Sequence, residues 1–357
     1  MSFFLGGGGG TYMMFWTFFI FLILLCFVRF KNGTYQRFTL IFALFLLFLF
    51  IGFRYEVGGD WAGYIDIYNQ INSNPFMLNR DFGYYILNIL AAKFGFGIVF
   101  VNVICAFIVC LFLYLSLRKL NYPFASLLYL FPFAIVVIIM GFTRQGVALS
   151  ILLFGFVLFV YEKKQLAFLA CVLLGGLFHS SVLLMLPFAV FGLRLKLKYT
   201  MLSYVVIGLA FISLYFYGLF DKFIYYITHN DYHSKGAIFR AGLHLLPVFI
   251  YMFYRKRIIK FDLNFALLDA MSICIAVLFI LSFYLSTPVD RIMYYFYIYD
   301  IVILDCLLRL NGGFKQKIIL FLLSGYTILL FGIWYFYSYY ALHFWRTGSN
   351  LILEYIF

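Results

Sequence analysis

The chain has 357 residues, of which 66% are hydrophobic, 24% are aromatic and only 11% are charged. A soluble domain is typically about 45–50% apolar and about 25% charged, and a soluble chain of this length could not bury so much apolar surface. The composition therefore excludes a soluble enzyme and a disordered chain, and the net charge of +13 does not indicate nucleic-acid binding. It is typical of a protein that crosses a membrane several times.

Apolar runs follow one another along the chain, and each is too long to be a strand of a membrane barrel. A helix needs about 20 apolar residues to cross the hydrocarbon, so we predict an all-α, polytopic transmembrane helix bundle with about 10 full spans. The runs lie at roughly 12–28, 38–53, 96–117, 122–140, 145–161, 166–193, 200–218, 236–254, 263–284, 290–308 and 318–338. They leave no room for a soluble domain, which predicts a single integral-membrane domain over residues 1–357.

The connections between these runs alternate in charge. Most of the 26 basic residues lie in one set of connections, at residues 29–37, 118–119, 163–164, 194–198, 255–260 and 309–317. The positive-inside rule places this set in the cytoplasm, so both termini are predicted to be extracytoplasmic.

Two segments depart from simple spans. Residues 54–95 form a long extracytoplasmic connection, and its amphipathic second half, 81–93, predicts an interfacial or re-entrant helix because it is too short to span. Residues 166–193 have basic residues at both ends but are too short for two crossings. We therefore predict a re-entrant hairpin with its apex at 178–181, where His179 faces a cavity, because non-helical backbone at that depth needs water or protein around it.

Several basic residues lie on the outer side, against the positive-inside rule. Arg54 ends the second span, and Arg144 opens a later helix. Arg240 lies one turn into its helix, four residues before His244, and Arg291 opens another helix. Any one of these arginines could simply reach the lipid headgroups. Four guanidinium groups around one outward cavity would instead suit a diphosphate, which they bind through paired hydrogen bonds.

Several motifs occur in a characteristic order along residues 54–300. They are Arg54-Tyr55-x-Val57-Gly58-x-Asp60-Trp61-x-x-Tyr64, Asp81-Phe82-Gly83-Tyr84-Tyr85, Thr143-Arg144-Gln145-x-x-Ala148, Leu177-Phe178-His179-Ser180-Ser181 and Asp290-Arg291-x-x-Tyr294-Tyr295, together with Arg240. This set resembles the EpsG family, the Wzy-type polymerases of O-antigens and exopolysaccharides. The tail at 345–348 lacks the Tyr-x-Pro-Tyr ending of that family, so the resemblance gives it no role.

The resemblance implies a GT-C-like glycosyltransferase in the bacterial inner (plasma) membrane. It would transfer glycan from an undecaprenyl-diphosphate-linked donor to the non-reducing end of another lipid-linked repeat unit, on the outer face. No cofactor is implied, and no metal is expected, because the outward region has no DxD motif and guanidinium groups could stabilise the leaving group. The implied partners are the undecaprenyl-diphosphate-linked oligosaccharide, membrane lipids, a Wzz-type chain-length regulator and a flippase, with no nucleic acid.

The resemblance also implies roles for single residues. The diphosphate-binding candidates are Arg54, Arg144, Arg240 and Arg291. His179 is the first candidate for the base that takes the acceptor proton, because a histidine titrates near neutral pH, and Asp60 is the second. The substrate-binding candidates are Gln145, Tyr55, Trp61, Tyr64, Asp81, Tyr84, Ser180, His244, Asp290, Tyr294 and Tyr295. The structural alternatives are a packed histidine, an Asp60–Arg54 pair and an interfacial belt of aromatic side chains.

Other functions stay open at the level of sequence. An O-antigen ligase uses the same donor, and the Arg54-Tyr55 motif favours the polymerase over it. A lipid-linked oligosaccharide flippase would need charges in both halves of an alternating cavity and often shows internal repeats, whereas the unusual charges here are on the outer side. A membrane acyltransferase with His179 as base would need an acyl-CoA site or a carrier, and no motif for either is found.

Overall fold

The computed structural model describes residues 9–74, 81–191, 234 and 236–352, which are helical almost throughout. The helices are apolar and confirm the predicted all-α class of membrane bundle. The chain divides into two compact units, one formed by Met1–Ser150 and Asn311–Phe357 and the other by Ile151–Leu310. This division was not predicted, because the apolar runs continue without a change in composition across both boundaries.

Helices make up nearly all the elements of the described residues. The first are α1 (Gly9–Phe27), α2 (Gly33–Gly52), β1 (Arg54–Tyr55), α3 (Trp61–Ser73), α4 (Phe82–Phe94), α5 (Gly97–Leu117), α6 (Pro123–Leu130) with a π-helical continuation (Phe131–Ile139), and α7 (Thr143–Glu162). The later ones are α8 (Gln165–Gly176), a 3₁₀ segment (Ser180–Val190), α9 (Ala237–Leu243), α10 (Leu245–Ile258), a 3₁₀ turn (Ile259–Phe261), α11 (Phe265–Leu281), α12 (Ser286–Met293), a 3₁₀ turn (Tyr294–Phe296), α13 (Tyr297–Leu310), α14 (Gly313–Tyr337), a π-helical turn (Ala341–Trp345) and β2 (Ser349–Asn350).

Within the described ranges, some helices are long and apolar enough to cross a membrane. They are Gly33–Gly52, Gly97–Leu117, Thr143–Glu162, Ala237–Phe261 and Gly313–Tyr337. Shorter apolar helices account for most of the other predicted runs, and the run at 200–218 lies outside the described residues. The count of about 10 spans stays a prediction.

Aromatic side chains form the core of the first unit. Phe19 stacks on Phe131 with ring centroids 5.2 Å apart, and Phe15 meets Phe50 edge-on at 4.7 Å. Phe331 lies 5.5 Å from Phe131. These rings join α1, α2, α14 and the π-helical segment, and aromatic pairs in such geometries add to the energy of simple apolar burial.

The π-helical segment determines where α7 begins. It carries Pro132 near its start, and proline has no N–H and crowds the carbonyl four residues before it, so wider turns accommodate the ring. The segment packs tightly on α7, because a Cβ added to Gly146 would lie 2.6 Å from Cα of Ile139. The first turn of α7, which starts at Thr143, is thereby fixed in the first unit.

The connection at 54–95 is mostly helical. The predicted helix at 81–93 is present as α4, and it ends at Gly95 in the left-handed conformation (φ +71°) that glycine adopts without strain. Helix α3 was not predicted. It packs against α4 and α5, burying Trp61, Tyr64 and Ile71.

In the second unit, α8 and the 3₁₀ segment Ser180–Val190 form a hairpin. The helical structure is interrupted at 177–179, close to the predicted apex. A Cβ on Gly176 would lie 2.7 Å from Cδ2 of Leu183. The side-chain amide of Gln165 donates to the carbonyl of Ala189 and ties the open ends together. The depth of this hairpin in the membrane stays a prediction.

The remaining helices of the second unit pack in pairs, α9 on α12 and α10 on α13. One predicted boundary is wrong, because α12 begins at Ser286 and not at Arg291. Pro288 lies in the first turn of α12, where proline is tolerated because its missing N–H has no partner there in any helix. Arg291 therefore lies in the last turn of α12.

Candidate active site

Arg54 is fully buried in the first unit, with 1% of its surface exposed. Its guanidinium donates from Nη1 to the carbonyl oxygen of Ile51 (2.6 Å), and from Nη2 to Oδ1 of Asn102 (3.2 Å) and Oγ1 of Thr143 (2.6 Å). All three acceptors are neutral, and no carboxylate within the described ranges is paired with it. Burial lowers the pKa of Arg54 from its ordinary value, because the charged form loses its water. An anion would compensate this charge.

Several buried hydrogen-bond donors of the same unit have no acceptor within the part of the chain that the structure describes. They are Nε of Arg54, Nδ2 of Asn102, Nε of Arg144 and Nε1 of Trp61. More than nine-tenths of buried polar groups in folded proteins have a partner, and each one left without costs about 1–3 kcal/mol. In the same unit, the hydroxyl of Tyr84 and the acceptor Oδ1 of Asn88 are also without a partner among the described residues. The four donors are suited to a ligand rich in acceptor oxygens, such as a phosphate or a sugar.

Arg144 lies in the first turn of α7, beside Thr143. Its Nη1 is 2.6 Å from Oδ2 of Asp81, and the side chains are 25% and 6% exposed. The guanidinium carbon lies 5.5 Å from the ring centre of Tyr64 and 5.8 Å from that of Tyr84. The structure thus brings the motif of Arg144 next to the motifs of Tyr64 and Tyr84. The sequence predicts a substrate contact for Asp81, and the structure pairs Asp81 with Arg144.

The other candidates in this unit surround the start of α3. Asp60 is half-buried, its carbonyl accepts from the backbone N–H of Tyr64 (3.0 Å), and it is not among the partners of Arg54. Burial is the main cause that raises the pKa of Tyr64, and the charge of Asp60 adds to it. Tyr55 is exposed, with its ring 5.4 Å from that of the buried Trp61, and Gln145 is buried in α7.

The C-terminal tail holds the Arg54 loop in place. Strand β1 pairs antiparallel with β2, with Arg54 opposite Asn350 and Tyr55 opposite Ser349. The backbone N–H of Gly58 donates to the carbonyl of Phe344 (2.8 Å). The tail that the sequence left without a role is therefore a support of the candidate site.

Close packing fixes this tail. Trp345 is buried and donates from Nε1 to the carbonyl of Val136 (2.9 Å), and a Cβ on Gly141 would lie 2.7 Å from its ring. A Cβ on Gly348 would lie 2.5 Å from Cγ2 of Val57 and 2.6 Å from the carbonyl oxygen of Glu56. Only glycine fits at Gly348 without moving the backbone that leads from Arg54.

In the second unit, Arg240 and Asp290 form a buried ion pair. The guanidinium donates from Nε to Oδ1 (2.7 Å) and from Nη2 to Oδ2 (2.6 Å) of Asp290. Ser234 accepts from Arg240 (2.9 Å) and donates to Asp290 (2.8 Å), and the hydroxyl of Tyr294 donates to the same carboxylate (3.0 Å). The sequence predicts a phosphate contact for Arg240 and a substrate contact for Asp290, and the structure pairs the two with each other.

Replacing Asp290 by asparagine is expected to lower the free energy of unfolding by about 3–5 kcal/mol, because it leaves the Arg240 charge buried and unpaired. Thermal unfolding of the purified protein in detergent measures the effect. The matched control is Asp269→Asn, which breaks a two-bond Arg255–Asp269 pair of the same geometry with side chains 44% and 35% exposed. That pair is more exposed than the Arg240–Asp290 pair, so the loss there is expected to be smaller. Equal losses in both variants would contradict the account.

His244 lies between α9 and α10 and is buried. Its Nδ1 is 2.6 Å from Oδ2 of Asp300, also buried, and its ring lies 4.8 Å from that of Tyr297. The sequence predicts a substrate contact for His244 and offers no partner for Asp300. Arg291 is exposed, whereas Tyr294, which was predicted to share its face, is buried.

His179 lies at the break of the hairpin and is half-buried. Its backbone is extended (φ −154°), and its N–H donates to the carbonyl of Gly175 (3.0 Å). Ser180, which follows it, is half-buried, and the hydroxyl of Ser181 lies 2.8 Å from that of the buried Tyr295. This cluster belongs to the second unit, as does the Arg240–Asp290 pair, whereas Arg54 and Arg144 belong to the first. Convergence of all four arginines stays a prediction.

Some residues of these sites were not predicted from the sequence. Asn102 carried a signal, because an amide inside an apolar span generally has a specific partner. Thr143 was quoted in a motif without a role. For Ser234 and the tail residues Trp345, Gly348 and Asn350 the sequence offers no signal, since their contacts are made across long sequence separations. No group of three or more His, Cys, Asp or Glu residues that could hold a metal ion occurs within the described ranges.

Comparison with known proteins agrees with the motifs. A model of the EpsG family matches residues 37–357, which is nearly the whole chain. No curated protein and no solved structure matches it. The match begins before Arg54 and includes the C-terminal tail that pairs with the Arg54 strand, so the matched residues belong to both units. The chain belongs to the EpsG family.

Proposed function

We propose that this protein is a polysaccharide polymerase of the Wzy type. It transfers glycan from an undecaprenyl-diphosphate-linked donor to the non-reducing end of a second lipid-linked repeat unit, at the outer face of the bacterial inner membrane, with both termini on that side. Family membership supports the general activity. The observation that carries the proposal is the buried Arg54 guanidinium with neutral partners and unsatisfied donors beside it.

The donor diphosphate binds at Arg54 and Arg144. A buried cation without a carboxylate is costly, and an incoming phosphate oxygen removes that cost while it accepts from Nε. Arg144 is neutralised by Asp81 and is partly exposed, so it orients the group and adds less net charge. For Arg240 and Arg291 the diphosphate role stays a prediction.

The reaction exchanges one bond for another. The acceptor hydroxyl oxygen attacks the anomeric carbon of the donor, a glycosidic C–O bond forms, and the bond from that carbon to the diphosphate oxygen breaks. The hydroxyl proton passes to a base, and undecaprenyl diphosphate leaves with the bonding electron pair. Negative charge grows on the leaving oxygen, so the guanidinium groups stabilise the transition state more than the substrate. No metal is required for this role.

His179 is the proposed base, with Asp60 as the second candidate. A neutral histidine accepts the proton and a protonated one cannot, so the rate is expected to fall at acidic pH. His179→Gln should lower kcat by about 10²–10⁴-fold and remove this pH dependence, while Asp60→Asn keeps it. The rates are read from initial bond formation at matched protein levels. A wild-type pH profile in His179→Gln, with kcat lost in Asp60→Asn, would transfer the role to Asp60.

The proposed activity is tested with the purified full chain in detergent. It receives a lipid-linked repeat unit and no nucleotide sugar, and the products are resolved on a gel. A ladder of lengths differing by one repeat is the expected result. Transfer only to added lipid A core would identify a ligase, and translocation in liposomes without any ladder would identify a flippase. Either outcome would overturn the polymerase.

A further inference from the structure

The first unit has a second polar site, far from Arg54. A cavity of about 340 Å³ opens where the end of α1, the start of α2, the connection before α6 and the start of α14 meet. Its size falls within the range of ligand pockets, about 300–1,000 Å³. Arg54 follows the other end of α2, a helix of 20 residues, which at about 1.5 Å per residue separates the two sites by about 30 Å. This cavity is therefore no part of the candidate active site.

The polar lining of the cavity is basic. Two cations, Arg29 and Lys317, line it together with the side-chain amides of Gln36, Asn121 and Gln316. No acidic residue is among the lining residues, and neither cation has an ion-pair partner within the described part of the chain. The segments that meet here also carry Lys31, Arg118, Lys119 and Lys315 and contain no Asp or Glu. The local charge is strongly positive, which favours an anionic ligand.

The helices that continue from the cavity are apolar on their exposed faces. On α1, Leu24 is 63% exposed, and on α14, Phe321 is 72% exposed. The stacked rings of Phe30 and Phe124, with centroids 5.3 Å apart, form part of the cavity wall. A free phosphate would use the cations and leave these faces without contacts. A molecule with an anionic head and acyl chains would use both.

We propose that this cavity binds the headgroup of an anionic phospholipid. The phosphate lies between Arg29 and Lys317, the three amides contact headgroup hydroxyls, and the acyl chains follow the exposed faces of α1 and α14. The positive-inside rule assigns this end to the cytoplasmic leaflet, and basic pockets between helices on that side are suited to such headgroups. The proposal does not depend on the polymerase activity.

Native mass spectrometry of the purified full chain tests the proposal, with phosphatidylglycerol and phosphatidylcholine of identical acyl chains as probes. The wild type is expected to retain one phosphatidylglycerol at concentrations where phosphatidylcholine is not retained. The double variant Arg29→Gln/Lys317→Gln should bind it about 25-fold more weakly, about fivefold for each charge removed. The matched control Lys31→Gln/Lys315→Gln removes two cations from the same segments but none from the cavity lining, and it should bind like the wild type.

A charge-preserving variant and a competition with inorganic phosphate complete the experiment. The variant Arg29→Lys/Lys317→Arg retains both charges and should retain binding, and melting temperatures check that each variant is folded. Inorganic phosphate at millimolar concentration should neither bind nor displace the lipid. Equal retention of both lipids by the wild type, equal loss in the control pair, or displacement by phosphate would overturn the proposal, the last in favour of a site for a free anion.

Discussion

Replacing Arg54 by lysine is expected to lower the rate of polymer formation by about 10²–10³-fold, the usual cost of removing one donor from a charge-stabilising site. The guanidinium donates hydrogen bonds to Ile51, Asn102 and Thr143. Its Nε has no acceptor among the described residues and can donate to the ligand. An ammonium group keeps the charge but cannot reproduce this planar fork. Because the contact strengthens as the diphosphate leaves, kcat and kcat/KM should fall together. Initial rates with the lipid-linked repeat unit measure both constants.

The control for this variant is Arg118→Lys in the same unit. That guanidinium follows the end of α5 opposite to Asn102, lies 5.4 Å from the ring centre of Tyr114 and has no role in the proposed site. Its polymerisation rate should stay near the wild-type value, and melting temperatures of both variants separate a loss of chemistry from a loss of folding. An Arg54→Lys protein that is folded and polymerises at the wild-type rate would remove Arg54 from the mechanism.

Replacing Gly348 by alanine is expected to reduce polymer formation by about 10–100-fold, although Gly348 touches no substrate. The added Cβ would lie 2.6 Å from the carbonyl oxygen of Glu56, so the backbone between β1 and Gly58 has to move. Displacements of about 1 Å at a catalytic group can cost about 10²-fold in rate. The same crowding should lower the free energy of unfolding by about 1–3 kcal/mol. Initial rates and thermal unfolding in detergent measure the two effects.

The matched control is Gly325→Ala, in α14, where nothing lies within 4 Å of the added Cβ. Alanine is a better helix former than glycine by up to about 1 kcal/mol, so this variant should be as active and at least as stable as the wild type. The account of the tail would be wrong if Gly348→Ala polymerised at the rate of Gly325→Ala.

The sequence predicted the helical class and several parts of the candidate site. The motifs that contain Arg54, Tyr64, Tyr84 and Arg144 lie close together. Their predicted position on the outer side of the membrane and their order along the chain indicated this. Charge pairing was not predictable. Whether Arg144 meets a phosphate or Asp81 depends on where the start of α4 lies relative to the start of α7, and no pattern within either segment encodes that contact.

Helix α3, strand β2 and the two units were not predicted, because contacts between residues far apart in the sequence determine them. Helix α3 contains Gly63, isoleucines and aromatic residues, which form helices weakly on their own, and packing on α4 and α5 stabilises it. The tail at 341–352 has no periodicity that suggests a strand, and its two-residue β2 exists only because β1 lies beside it. The division into two units follows from contacts between distant helices, since composition is uniform across both boundaries.

The proposed mechanism is tested most directly by measuring the release of undecaprenyl diphosphate in the presence of EDTA. Purified protein is given the lipid-linked repeat unit without nucleotide sugar, and glycosidic bonds and free undecaprenyl diphosphate are counted together. The account predicts one undecaprenyl diphosphate released for each bond formed, at a rate that EDTA does not change and that Arg54→Lys lowers by about 10²–10³-fold. Loss of activity in EDTA, or bonds formed without release of the diphosphate, would contradict it.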